Sequence, residues 1–290
     1  MTRTVFLGTS DFAAAVLTRL ADSPHRPQLV ITRPDRPAGR GRRLSAPPVA
    51  QAARALEFPL LQPEKVNDED ARAQIAAAAP DAVIVCAFGA LIREPLLSDF
   101  EMLNVHPSLL PRWRGAAPVE RAIMAGDEET GVCIMRLTAG LDSGPVCLMG
   151  REPIAPDDTY GTLTPRLQEV GADLLLRVLD ERPACAEQTE EGVTYADKIG
   201  PADRTLDPAA TAAVNDRVLR ALTPHIGARV TLADGSFLGV LRAAVRDPDA
   251  AGRLRTDGDR LLLGGLELLA VQPAGGRPMD VASYLRGRSV

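Results

Sequence analysis

The sequence has no run of about 18 apolar residues of the kind that spans a bilayer. Its opening, MTRTVFLGTSDF, enters a short apolar run with no signal-peptide pattern behind it. A membrane span and an export leader are therefore not expected, and the chain reads as cytoplasmic. Paired cysteines are missing as well: Cys86, Cys133, Cys147 and Cys185 show neither the spacing of a zinc site nor that of a redox dithiol, so they read as core thiols. Positive charge is not in excess. With 33 basic against 38 acidic residues the net charge is -5, which excludes a protein that coats nucleic acid by bulk neutralisation of phosphates. Any such partner must be met locally. No repeat or low-complexity tract occurs. What is present, 46% hydrophobic and 24% charged residues in a chain of 290, is the composition of a folding chain long enough for two domains.

From the N-terminus, β-rich runs (TVFLG, QLVIT, AVIVCAF, MLNVH) alternate with Ala-rich amphipathic stretches. That alternation predicts βαβ units and an α/β fold: a Rossmann-like, mostly parallel sheet with helices on both faces. Helices are expected from Asp11, after Pro48 and after Asn67, with Asp11 and Asn67 as N-caps. GVCIMRL and GPVCLMGREPI read as a hairpin pair, and a long helix behind Asp158 or Thr159 closes the first domain, 1–184. The polar stretch 185–206 has no sustained period and reads as a linker. Beyond a helix over 208–222, short apolar runs are punctuated by Asp234-Gly235 and Asp257-Gly258. These hairpin dipeptides predict a small antiparallel β-barrel, OB-like, over 207–290.

The strand period of two puts Asn104 and His106 on one face at the end of MLNVH, before a proline-marked loop. Ligands bind at the carboxyl ends of strands in open α/β sheets. An amide there can donate to an oxygen that gains negative charge, and an imidazole can exchange a proton near neutral pH. Alone, either residue reads as a satisfied polar group at a strand end. TAGLDSGP adds Asp142 between Gly140 and Gly144, on a loop able to bring a carboxylate up to the imidazole; taken by itself, an Asp among glycines is a turn residue. Ser108 stands in no GxSxG elbow and is a poor nucleophile candidate.

The string NVHPSLLPRWRGAAPVERAIMAGDEETGVCIMRLTAGLDSGP is similar to the hallmark of the folate-dependent formyltransferases, and its RWRGAAP form resembles the branch of that family acting on methionyl-tRNA. GTSDFAA, TRPDRPAGRGRRL, IVCAFGALI and VTYADKI fall in the family's order, so the resemblance covers nearly the whole chain. It departs at Ser10, where proline is more frequent, and at Phe88, where tyrosine is common. The resemblance implies that Asn104, His106 and Asp142 are the catalytic trio of a one-carbon group transferase. It also implies 10-formyltetrahydrofolate as donor, the α-amino group of methionyl-initiator-tRNA as acceptor, and no metal. Phe88, Gly89, Leu91, Ser108, Leu109, Leu110 and Pro111 would wall the folate pocket, and the enzyme would act as a monomer with 207–290 as a tRNA-binding domain.

The stretch 33–43 carries five arginines against one aspartate, with prolines and glycines that bar a regular helix or central strand. Its plain reading is a solvated loop. Given the resemblance, Arg36, Arg40, Arg42 and Arg43 become the candidates for tRNA contact, since guanidinium forks match phosphate oxygens. Three rival readings stand beside this one: the same chemistry on an amino sugar or glycinamide nucleotide, a nucleotide-dependent dehydrogenase, and a folate- or RNA-binding module without catalysis. GTSDFA lacks the GxGxxG fingerprint a dehydrogenase would need.

Overall fold

Strands TVFLG, AVIVC and MLNVH carry side chains that are mostly apolar at successive positions rather than alternately, and every residue in them is buried. A strand covered on both faces requires that pattern. The computed structural model describes residues 1–38 and 43–286. The chain forms two units: 1–115, 130–152 and 164–195 make the first, while 116–129, 153–163 and the chain from 196 onward make the second. Packing thus groups segments differently from the linear partition 1–184, 185–206 and 207–290.

In the first unit, β1 (Thr4–Gly8), β2 (Pro27–Ile31), β5 (Leu60–Leu61), β6 (Ala82–Cys86) and β7 (Met102–His106) run parallel. The sheet continues through β9 (Glu129–Arg136), antiparallel to β7, and β10 (Val146–Pro153), in the order β10-β9-β7-β6-β1-β2-β5. The helices of this unit are α1 (Asp11–Ala21), α2 (Pro48–Ala55), α3 (Glu69–Ala77), the short α4 (Leu96–Asp99) and most of α6 (Tyr160–Glu181). Phe6, Leu17, Ile31, Ile75 and Ile84 fill the core between these layers. The expected mostly parallel α/β sheet is therefore present.

Two helix starts differ from expectation by one residue. Ser10, not Asp11, caps α1, its Oγ accepting from the Ala13 N–H at 3.3 Å. A proline there would have no side-chain oxygen to offer. Asp68 occupies the N-cap of α3, and Asn67 instead bridges a neighbouring loop: its amide donates to the Leu91 carbonyl at 2.9 Å and accepts from the Arg93 N–H at 2.8 Å. The arginine-rich stretch is a two-stranded ribbon where described, β3 (Arg36–Ala38) pairing antiparallel with β4 (Arg43–Ser45). A two-stranded ribbon has only edge positions, which tolerate proline. Two of the four presumed core thiols are joined, Cys147 to Cys185. They lie 38 residues apart, too far for a spacing rule to pair them, and are brought together by the backbone bridge Val146–Ala186. Cys86 and Cys133 are buried free thiols as read.

The second unit is built on a curled antiparallel sheet: β12 (Ala228–Thr231), β13 (Phe237–Val245), β16 (Leu266–Pro273), β15 (Arg260–Leu263) and β14 (Leu254–Asp257) in that order, with β17 (Met279–Asp280) on β16. Gly235 and Gly258 turn the two expected hairpins at φ 80° and 64°, a left-handed conformation that glycine adopts without a Cβ clash. Leu219, Val230, Leu238, Leu261 and Leu266 line its core. Around the sheet lie α5 (Pro118–Ala125), α7 (Ala212–Leu222) and α8 (Val281–Leu285). α7 starts four residues later than the apolar period suggested, because Asp207 spends its carboxylate on the Ala209 N–H in a turn, at 2.8 Å, and Thr211 supplies the cap. No helix among the described residues is long and apolar enough to cross a membrane.

Candidate active site

β7 delivers Asn104 and His106 to its carboxyl end, 8% and 4% exposed, beside the end of parallel β6. Asp142 arrives from the loop between β9 and β10. Its Oδ1 accepts from the Asn104 amide at 3.3 Å, its Oδ2 from the Gly115 N–H at 2.9 Å, and Oδ2 also stands 3.7 Å from His106 Nδ1. The three residues drawn from two separate segments therefore meet around one carboxylate.

The imidazole is oriented from its other side. His106 Nε2 lies 2.9 Å from the Trp113 carbonyl. A carbonyl only accepts, so Nε2 carries the hydrogen and Nδ1, facing Asp142, is the nitrogen left for proton exchange. Asn104 uses one amide hydrogen on Asp142; among the described residues none takes the second. Trp113 and Asp142 both hold left-handed backbone, φ 65° and 43°, a conformation that aspartate enters readily in turns but that is uncommon for a residue as bulky as tryptophan. Gly144 is needed for space rather than flexibility: a Cβ there would lie 2.0 Å from the Arg136 carbonyl oxygen. Cys133, paired in register with His106 across β9, stays neutral because burial pushes its thiol up to about 12.

The surrounding frame comes from the segment after α6, which composition alone did not single out. Thr194 Oγ1 accepts from the Trp113 N–H at 2.9 Å, and β8 (Arg114–Gly115) pairs with β11 (Tyr195–Ala196). Gln188 donates to the carbonyls of Asp142 and Gly144 at 2.8 Å each. Trp113, Gly115, Gln188 and Thr194 were not candidates, because a backbone carbonyl or a polar side chain in an aperiodic stretch leaves no pattern in sequence.

The residues singled out as pocket walls divide. Gly89 and Leu91 are at the surface, Leu91 65% exposed, and the Gly89 carbonyl accepts from Arg33 at 2.7 Å. Leu109 and Pro111 are half-buried. Phe88 packs in the core with Val5, Val83 and Leu96, and Leu110 packs on Cys133 and Met135. Ser108 is fully buried and its hydroxyl donates to the Arg112 carbonyl at 2.7 Å, as suits a structural serine. Of the arginine candidates, Arg36 is exposed on β3, Arg43 begins β4, and Arg40 and Arg42 lie outside the described residues.

Residues 2–179 match the formyl transferase family model. The chain is 44% identical to methionyl-tRNA formyltransferase of Halorhodospira halophila, over 99% of this chain and 96% of that one. It is 41% identical to the protein of the same name from Neisseria meningitidis serogroup C, over 99% and 98%. Among solved structures, a methionyl-tRNA formyltransferase from Clostridium thermocellum superposes with a TM-score of 0.64 at 13% identity, covering 93% of this chain and 99% of that one. HypX of Aquifex aeolicus in complex with tetrahydrofolic acid gives 0.66 at 16% identity over 98% of this chain, which spans 47% of HypX. At those identities the structural likeness speaks for the fold.

Proposed function

The chain belongs to the formyl transferase family, and from that premise we propose that it moves the formyl group of 10-formyltetrahydrofolate to the α-amino group of methionyl-initiator-tRNA. The observation that carries the chemistry is the Asp142 carboxylate, bonded to the Asn104 amide at 3.3 Å and set 3.7 Å from His106 Nδ1 at a strand end. The acceptor rests on the 44% identity over nearly the full chain to a methionyl-tRNA formyltransferase.

The folate supplies a formyl carbon bound to nitrogen. The site suits it because Asn104 keeps a second amide hydrogen unused by any described residue, a donor for the formyl oxygen as that oxygen gains negative charge. His106 takes or returns a proton through Nδ1 while its Nε2–H stays on the Trp113 carbonyl. Asp142 balances the imidazolium that forms and holds the Asn104 amide in place. Gly89, Leu91, Leu109 and Pro111 are the wall candidates with exposed or half-buried side chains or backbone; Phe88, Ser108 and Leu110 support the wall from behind. Arg36, Arg40, Arg42 and Arg43 meet tRNA phosphates in this reading, and 207–290 adds RNA contacts.

The test is an assay of purified protein with 10-formyltetrahydrofolate and methionine-charged initiator tRNA, run beside charged elongator tRNA, a nucleotide-linked amino sugar and a glycinamide nucleotide. Formylation of charged initiator tRNA alone is expected. Preferential turnover of either small amine would overturn the acceptor while leaving the family intact.

A further inference from the structure

Gln188 uses its whole hydrogen-bonding capacity on the frame around Asp142. Its two amide hydrogens go to the carbonyls of Asp142 and Gly144, both at 2.8 Å. Its Oε1 accepts from Arg114 twice, from Nε at 3.1 Å and Nη2 at 2.9 Å. These partners fix the amide's orientation: turned over, it would set oxygen against two carbonyls and NH2 against a guanidinium. Arg114 is 4% exposed and immediately precedes Gly115, whose N–H is the second donor to the Asp142 carboxylate. One side chain thus ties together the loop that carries Asp142 and the strand that supplies its backbone donor.

Resting on the formyl-transfer reading above, we propose that Gln188 is a positioning residue, which holds the Asp142 carboxylate in line with the Asn104 amide and His106 Nδ1. It touches no reacting atom. The Asp142 carboxylate meets the Asn104 amide at 3.3 Å and the Gly115 N–H at 2.9 Å from a loop that Gln188 bonds at the Asp142 and Gly144 carbonyls. Cys185, three residues before Gln188 and joined to Cys147, anchors the segment on one side. On the other, the Thr194 N–H and Oγ1 reach Pro111 and Trp113. Gln188 lies between two fixed points, where its reach is set.

Two variants separate positioning from folding. Gln188→Glu keeps the acceptor for Arg114 but faces two carbonyls with an oxygen; Gln188→Met keeps the shape and removes every hydrogen bond. A displacement of about 1 Å at a reacting group costs about 100-fold in rate, so kcat for formyl transfer should fall by roughly 10- to 100-fold in Gln188→Glu and less in Gln188→Met. KM for the folate and for the tRNA should stay within about twofold, the mark of a loss confined to the transition state. In an Asp142→Ala background, Gln188→Met should cost nothing further in kcat, since two residues acting through one carboxylate are not additive. Independently of any acceptor, exchange of the Gly115 N–H, which is held on the Asp142 carboxylate, should be at least about tenfold faster in Gln188→Met, as local opening of the loop predicts. Unchanged exchange, full additivity with Asp142→Ala, or kcat and both KM values moving together with the melting temperature would each overturn the proposal. A parent enzyme inactive on every amine would overturn the formyl-transfer reading instead, leaving the exchange result to decide for Gln188.

Discussion

The parallel sheet of the first unit holds an imidazole against a carboxylate at each end, and the two pairs are built differently. At the amino end, by β1, His25 is 2% exposed. Its Nδ1 accepts from the Thr2 N–H at 3.1 Å and its Nε2 meets Asp180 at 2.8 Å. A backbone donor on Nδ1 requires that nitrogen to be bare, so Nε2 carries the hydrogen and the ring is held as one neutral tautomer. Adding a proton would break the bond to Thr2. At the carboxyl end, His106 gives Nε2–H to a carbonyl and turns Nδ1 toward Asp142 at 3.7 Å. A proton can arrive there without breaking anything. A histidine beside an acid is therefore not informative in itself; which partner each nitrogen has is.

Exchanging readouts between the two ends is the strongest way to break this contrast. His106→Ala should lower kcat by about 100- to 10,000-fold, the usual share of general acid–base assistance, with the urea midpoint near that of the parent. Retained turnover would put the chemistry elsewhere. The amino end has a second structural device: Thr2, Cys147 and Cys185 line one small cavity of about 140 Å³. In the chain-entropy account, a cross-link closing a loop of this length, 38 residues apart in sequence, contributes about 4 kcal/mol to stability. Cys147→Ser, or reduction of the parent, should accordingly lower the unfolding free energy by about that much. Equal denaturation curves with and without reductant would remove the device. His25→Ala should cost about 1 to 3 kcal/mol, because it strands the buried Thr2 N–H, and leave kcat as in the parent; a kinetic defect larger than that of His106→Ala would invert the comparison.

The sequence carried the carboxyl end far better than the amino end. MLNVH puts Asn104 and His106 two residues apart on a strand, and TAGLDSGP marks its loop with glycines, so periodicity and punctuation both point at the trio. His25 sits in SPHRP, where no period says that Thr2 will cross to it. The segment 185–195 shows the same limit. CAEQTEEGVTY is polar and aperiodic, so it reads as a linker, yet Cys185, Gln188 and Thr194 each bind groups more than 35 residues away in sequence. Hydrogen bonds from side chains to distant carbonyls follow from the fold and have no local signature. The strands of the second unit were legible for the opposite reason, since Asp234-Gly235 and Asp257-Gly258 are local devices acting on their immediate neighbours.

The smallest expected effect sharpens the comparison most, because it makes one chemical change at both ends. Asp180 is 65% exposed in its side chain, and the ring it faces is neutral by virtue of its Thr2 bond. Asp180→Asn keeps an oxygen that can accept from Nε2–H, so the change removes a charge next to no charge. Its cost should be no more than about 1 kcal/mol, as for an exposed pair, and should shrink further with salt. Asp142→Asn removes a charge where the opposing nitrogen must become positive during turnover, and an amide turned to donate toward Nδ1 would occupy the lone pair that takes the proton. The same substitution should then be almost silent in denaturation at one end and cost about 100-fold or more in kcat at the other. A stability loss at Asp180→Asn well above that bound would mean His25 is charged in the folded protein, and the two ends would be the same device after all.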